Sequence, residues 1–173
     1  MHSKVIVITG PESSGKTTLA TQLSSYWKAP LIAEVARDYL ADKHFYQQCD
    51  LLEIAKQQHE EESKTLSHFP NRIVCDTDLL VIMIWSEFKY GSCDPWIYEA
   101  FEHCMARNST NRHYYLCDSN IPWQADPLRE NPNNRNQLFE LYLEKLKTYE
   151  LSYNIVSGDP EQRFRQVIEP MDS

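Results

Sequence analysis

The sequence predicts an α/β fold: a parallel, doubly wound sheet of five strands flanked by helices. Three observations predict it. Short β-branched apolar runs alternate with helical periods along the whole chain. The first run, Lys4 to Thr9, leads directly through a glycine-bearing loop into a helix. Later runs end on acids, as at Glu34, Asp76 and Asp118. In such sheets the carboxyl ends of the strands are where ligands sit.

The elements follow in order. Lys4-Val5-Ile6-Val7-Ile8-Thr9 is the first strand, and Gly10-Pro11-Glu12-Ser13-Ser14-Gly15-Lys16-Thr17 is the loop. Leu19, Leu23 and Tyr26/Trp27 then recur at helical spacing until Pro30, which cannot continue a helix. Leu31-Ile32-Ala33 is a second short strand. A long helix is expected from Asp50, with a capping box at Asp50-Leu51-Leu52-Glu53, to about Phe69. Within it, His59-Glu60-Glu61-Glu62 reads as a solvated face rather than a metal cluster. Arg72 to Asp76 is a third buried strand, followed by an apolar helix from Leu79 that Lys89-Tyr90-Gly91 ends. Asp94-Pro95 opens another helix with a cap residue and a first-turn proline. His113 to Cys117 is the fourth strand. Ser119 to Arg135 has no apolar period and reads as a mobile surface segment. A helix over Asn136 to Tyr149, a strand over Tyr153 to Val156 and a helix over Glu161 to Ile168 complete the chain.

With 173 residues, 42% hydrophobic and 24% charged, one domain over residues 1–173 is expected. A net charge of -8 disfavours a nucleic-acid or anionic-membrane surface, which needs an excess of Lys and Arg. The longest apolar stretch, Leu79 to Trp85, is too short to span a bilayer. Met1-His2-Ser3-Lys4 leads straight into the strand without a secretory leader. The five cysteines form no C-x-x-C pair. They read as free thiols, and the expected location is the cytoplasm.

The loop carries the strongest chemical signal. Gly-x-x-x-x-Gly-Lys-Thr between a strand and a helix is a phosphate-binding loop in its confirming context, which makes the chain a P-loop NTPase by motif. Gly10 and Gly15 allow tight turning, while Glu12, Ser13, Ser14 and Thr18 lie along or beside the cradle. Lys16 is placed to reach the β/γ-phosphates of ATP, and the Thr17 hydroxyl to ligate Mg²⁺. Gly158, in the loop after the fifth strand, joins the candidate nucleotide contacts. Asp76-Thr77-Asp78 is the second signal. Asp76 suits magnesium's water shell and either Asp78 or Glu34 a base for a substrate hydroxyl, although Asp78 also reads as the cap of the following helix. Glu34 and Arg37 read either as acceptor-side groups or as a solvated i,i+3 pair. The third signal is Asn120 to Arg129 with Arg135 beyond it. Arg129 and Arg135 can fold over the triphosphate, and Trp123 either stacks on a ligand ring or anchors the loop.

Gly10-x-x-Ser13-Ser14-Gly15-Lys16, Glu34-x-x-Arg37-Asp38-Tyr39, Asp76-Thr77-Asp78 and Asn120-x-Pro122-Trp123-x-Ala125-Asp126-x-x-Arg129 resemble, in order and spacing, the ribosylnicotinamide kinase domain of bacterial NadR proteins. The resemblance covers nearly the whole chain. It implies a nucleoside/nucleotide-kinase-like fold with a lid at about 119–135, and transfer of the ATP γ-phosphate to the 5′-hydroxyl of nicotinamide riboside. By position it implies phosphate and Mg²⁺ roles for Lys16, Thr17 and Asp76. Glu34, Arg37, Asp78, Asn120 and Trp123 fall on the riboside side, with Arg129 in the lid. NadR proteins carry further domains, so adenylyl transfer and repression are not carried over.

The residues alone also support a kinase, since phosphoryl transfer needs alignment, charge neutralisation and an activated hydroxyl. Two other readings stand beside nicotinamide riboside: a kinase for another nucleoside or small alcohol, and a nucleotide switch without acceptor. Against the switch stand the absence of an Asn-Lys-x-Asp motif and the presence of the acceptor-side acids.

Overall fold

The computed structural model describes residues 3–43, 45–68, 70–108, 111–121 and 134–172. Strands β1 (Lys4–Thr9), β2 (Leu31–Ile32), β3 (Arg72–Asp76), β4 (Arg112–Cys117) and β5 (Tyr153–Val156) form one sheet in the order β2-β3-β1-β4-β5. Every neighbouring pair is parallel. The helices are α1 (Lys16–Trp27), α2 (Val35–Leu40), α3 (Gln48–Leu66), α4 (Leu79–Tyr90), α5 (Pro95–Asn108), α6 (Arg135–Thr148) and α7 (Pro160–Asp172).

The alternation of β1 builds the two cores. Val5 and Val7 pack into the layer of α2 to α6, while Ile6 and Ile8 pack against Leu19, Ala20 and Leu23 of α1 and Val167 of α7. A strand buried on both faces cannot carry polar residues, which is why β1 reads as continuous aliphatics. Ile8 lies opposite Asp76 in the β1/β3 register. That register sets the phosphate loop and the acidic strand end side by side.

Several expectations are corrected. Helix α3 begins at Gln48, and its capping box joins Gln47 and Asp50 rather than Asp50 and Glu53. The run His59 to Glu62 is not wholly solvated: Glu62 is 6% exposed and pairs with Arg112. Arg135 is the first residue of α6, where it is already part of a helix and not of an irregular segment. The other twelve residues of the expected lid's core, 122–133, lie outside the described residues, Trp123 and Arg129 among them. No described helix is long and apolar enough to cross a membrane. None of the five cysteines forms a disulfide.

Candidate active site

The loop after β1 is held in a conformation that only its sequence permits. Gly10 has φ 136°, and a Cβ there would sit 2.7 Å from the Cys117 carbonyl oxygen. Gly15, at φ 80°, precedes the first helical residue, Lys16. The α1 N-terminus thus opens on the loop with its amides and partial positive charge. Lys16 Nζ donates to the Pro11 carbonyl at 2.9 Å, so the ammonium lies across the cradle.

Two arginines fix the loop from outside. Arg163 Nη1 donates to the Ser14 carbonyl at 2.6 Å, and Arg135 Nη2 to the Ser13 carbonyl at 3.0 Å. In a trans peptide the carbonyl and the next amide point in opposite directions. Holding these two oxygens therefore turns the Ser14 and Gly15 amides the other way. Arg163 also donates through Nε to the Gly158 carbonyl at 2.8 Å and through Nη2 to the Asp118 carboxylate. Arg135 Nη1 donates to the Ile121 carbonyl at 2.8 Å. Gly158 is thus a backbone anchor for Arg163. Asn120 is likewise engaged, its Nδ2 donating to Asp118 Oδ2 at 2.9 Å.

The two acids after β3 go to different places. The residue between them, Thr77, has φ 72° in the left-handed region. Asp76 is 3% exposed, and its Oδ1 has no hydrogen-bond partner among the described residues. Burial pushes its carboxyl up, against the Thr17 hydroxyl and the charges of Lys16 and Arg37. A buried carboxylate oxygen without a partner, beside a threonine hydroxyl and a phosphate loop, fits Mg²⁺, which keeps waters and phosphate oxygens as most of its ligands. A self-sufficient cage is not required, and no group of three or more His, Cys, Asp or Glu able to hold a metal occurs among the described residues.

Of the two roles read for Asp78, base and cap, its contacts are those of the cap. It caps α4 by accepting from Leu80 N at 3.0 Å, and also accepts from Arg112 Nη1 at 2.9 Å and Tyr114 Oη at 2.6 Å. Arg112 in turn donates to Glu62. Burial raises the Asp78 carboxyl, opposed by Arg112 and the Tyr114 phenol. The side chain is spent on joining α3, α4 and β4, and it is absent from the lining of the main cavity.

That cavity encloses about 300 Å³. Its lining takes in the loop from Gly10 to Thr18 and the pair Glu34 and Arg37, joined by a 3.8 Å ion pair. It also includes an apolar stripe of α4, Val81, Ile84, Trp85 and Phe88, together with Leu138 and Tyr142 of α6. Burial first, then the negative charge of Glu34, Glu12 and Asp78, pushes the Tyr142 phenol up.

The cavity lining brings the loop residues, Glu34 and Arg37 together; Asp76 adjoins it through the Thr17 hydroxyl, and neither Asp76 nor Asp78, Asn120 or Gly158 lines it. Sequence reasoning missed Arg163, Trp85, Phe88 and Tyr142. For the aromatic pair, the spacing 81/84/85/88 was the available signal. Arg163 stands in a polar helix with no motif around it.

In the curated comparison the chain is 26% identical over 179 residues to the trifunctional NAD biosynthesis/regulator protein NadR of Salmonella typhimurium, matching 96% of this chain and 41% of that protein. A crystal structure of NadR protein in complex with NR superposes with a TM-score of 0.73 at 20% identity, over 98% of this chain and 50% of that one. Thymidylate kinase from Ehrlichia chaffeensis gives 0.74 at 14% identity, over 99% and 100%. The NadR resemblance carried by the motifs thus recurs in sequence and in fold, and the fold is that of the P-loop nucleoside and nucleotide kinases. The chain spans half or less of the NadR proteins it matches. One family match runs from residue 5 to residue 163, across the loop, the sheet and Arg163 itself: the chain belongs to the AAA domain family.

Proposed function

We propose that this protein transfers the γ-phosphoryl group of ATP to a hydroxyl of a small heteroaromatic riboside, with nicotinamide riboside as the first candidate. The observation that carries the reading is the cavity itself. It joins a phosphate cradle to a carboxylate and an aromatic wall within one enclosure of about 300 Å³. A nucleotide switch needs the first part and has no use for the second. The similarity to NadR proteins and the NR held by one of them favour the nicotinamide riboside assignment.

The roles follow from placement. Loop amides and Lys16 hold the β/γ-phosphates and neutralise charge as it spreads onto them. Asp76 and Thr17 would hold Mg²⁺, which supplies further charge neutralisation when bound. Glu34 accepts the proton of the acceptor hydroxyl as its oxygen bonds to the γ-phosphorus and the bridging bond to ADP breaks. Arg37 keeps the Glu34 carboxylate oriented. Trp85 and Phe88 present ring faces to the acceptor's heterocycle, a surface that also suits a pyridinium cation. Arg129 and Trp123 keep their proposed place in a lid over this site.

The test is an acceptor screen. ADP release with Mg²⁺ and ATP is compared without acceptor and with nicotinamide riboside, adenosine, deoxyadenosine or thymidylate, and products are identified by mass. Nicotinamide riboside should accelerate ADP release at least tenfold over the no-acceptor rate, and Lys16→Ala should remove at least nine-tenths of that turnover, about 1.4 kcal/mol. Acceleration by none of the four refutes phosphotransfer; acceleration by another of them alone refutes the acceptor assignment.

A further inference from the structure

Beside the main cavity lies a second void of about 10 Å³, sharing Glu34 and Trp85 with it and adding Gln58 and Thr77. That is room for roughly one oxygen atom. Gln58 is 2% exposed, on the α3 face otherwise made by Leu51, Ile54 and Ala55. Its Oε1 accepts from Val35 N at 3.0 Å, which fixes the amide and leaves Nε2 as the opposite, donating end. Neither Gln58 Nε2 nor Trp85 Nε1 has a hydrogen-bond partner among the described residues, and both atoms are buried. A buried donor without an acceptor is destabilising, and two such donors on residues that line one oxygen-sized void, otherwise walled by Ala36, Ile54, Val81 and Ile82, mark a place for something to bind.

The geometry points to a hydroxyl-reading subsite formed by Gln58 and Trp85, by which this protein selects acceptors carrying a secondary hydroxyl: ribosides over deoxyribosides. The chemistry of the lining defines the occupant. Two N–H donors require an atom with lone pairs, and a carboxylate on the same lining, Glu34, favours an atom that also carries a proton. A hydroxyl meets both demands. An ether or carbonyl oxygen has no proton for the carboxylate, and an ammonium has no lone pair for the donors. Glu34 is also the proposed proton acceptor for the reacting hydroxyl, so the group read must sit close to that hydroxyl on the same small molecule. On a riboside this is a ring hydroxyl. Gln58 does two jobs at once: its oxygen secures the turn that presents Glu34, and its nitrogen reads the substrate. The inference rests on the phosphotransfer reading.

Trp85→Phe removes the N–H and keeps an aromatic ring on the wall; Gln58→Met removes the amide and keeps its bulk. For wild type and both variants, kcat/KM is measured with the acceptor riboside and with its 2′-deoxy and 3′-deoxy analogues, alongside Tm. Wild type should prefer the riboside by roughly 10- to 100-fold over at least one analogue, as expected where a buried donor is left unpaired. Trp85→Phe should cut that preference to about threefold or less, chiefly by loss on the riboside. Equal losses on riboside and analogues would make both residues packing groups and overturn the proposal. So would a wild type indifferent to the missing hydroxyl, the result expected if a resident water fills the void. If no acceptor supports turnover, the phosphotransfer reading has failed on its own. Calorimetric binding of the riboside and its deoxy analogues to wild type then decides the subsite, with equal affinities overturning it.

Discussion

Replacing Asp78 and Glu34 separately distinguishes a structural carboxylate from a reacting one. In Asp78→Asn the cap to Leu80 N survives, because an amide oxygen still accepts. The charge facing Arg112 is lost, and Arg112, 4% exposed, keeps Glu62 as its remaining anionic partner. Breaking a buried ion pair costs about 3–5 kcal/mol, and the surviving cap and the Glu62 contact place this variant at the lower end, about 3 kcal/mol. For a chain of this length, roughly 2–4 °C of Tm per kcal/mol gives a fall of about 6–12 °C. Well below that temperature, kcat should stay within about threefold of wild type. Glu34→Gln should behave in the opposite way. Its side chain is half-buried and makes no cap bond, so Tm should move by about 2 °C or less. Acceptor-dependent turnover should drop roughly 100- to 10,000-fold, the usual worth of a positioned base. Thermal unfolding and steady-state kinetics on the same preparations measure both. An Asp78→Asn protein with wild-type Tm and a hundredfold loss of turnover would refute the assignment and return the base to Asp78.

Asp76→Asn should stabilise the nucleotide-free protein. Burial lifts the folded Asp76 carboxyl above its ordinary 3.8, so the unfolded chain releases this proton first as pH rises. Stability is therefore lost from about pH 3.8 up to the folded value, and the penalty is complete above it. The variant's Tm should exceed wild type at pH 7.5 and match it near pH 3.5, while Mg²⁺ with ATP should stabilise it far less than wild type; a lower Tm at pH 7.5 would contradict the argument. Arg163→Lys keeps a charge for Asp118 but cannot hold the Ser14 and Gly158 carbonyls together. With one or two hydrogen bonds gone, at about 1 kcal/mol each, the KM for ATP should rise about tenfold with the acceptor KM little changed, and equal shifts in both would remove Arg163 from loop positioning.

Local patterns were legible and long-range partnerships were not. The bounds of β1, β3 and β5 match the expected runs; for β1 and β3 the reason is that a strand buried on both faces cannot hide its composition. Glycines in the loop announce themselves because few other residues tolerate their backbone. Asp78 illustrates the limit: an acid after a buried strand looks the same whether it faces substrate or an arginine 34 residues away. Gln58 gave no signal in the sequence, since its partner, the Val35 amide, lies in an element 23 residues earlier. The α3 capping box shifted by one turn because Asp50 serves as the third helical residue and not as the cap.

The contact between Arg163 and the Ser14 carbonyl spans 149 positions. The cradle's residues are therefore synthesised 149 positions before the side chain that sets their carbonyls. Synthesis from one end therefore cannot finish the cradle early: Lys16 and its neighbours lack the Arg163 contacts until α7 docks. Competence to hold a triphosphate arrives together with the completed sheet, so a half-made chain has no means of sequestering ATP.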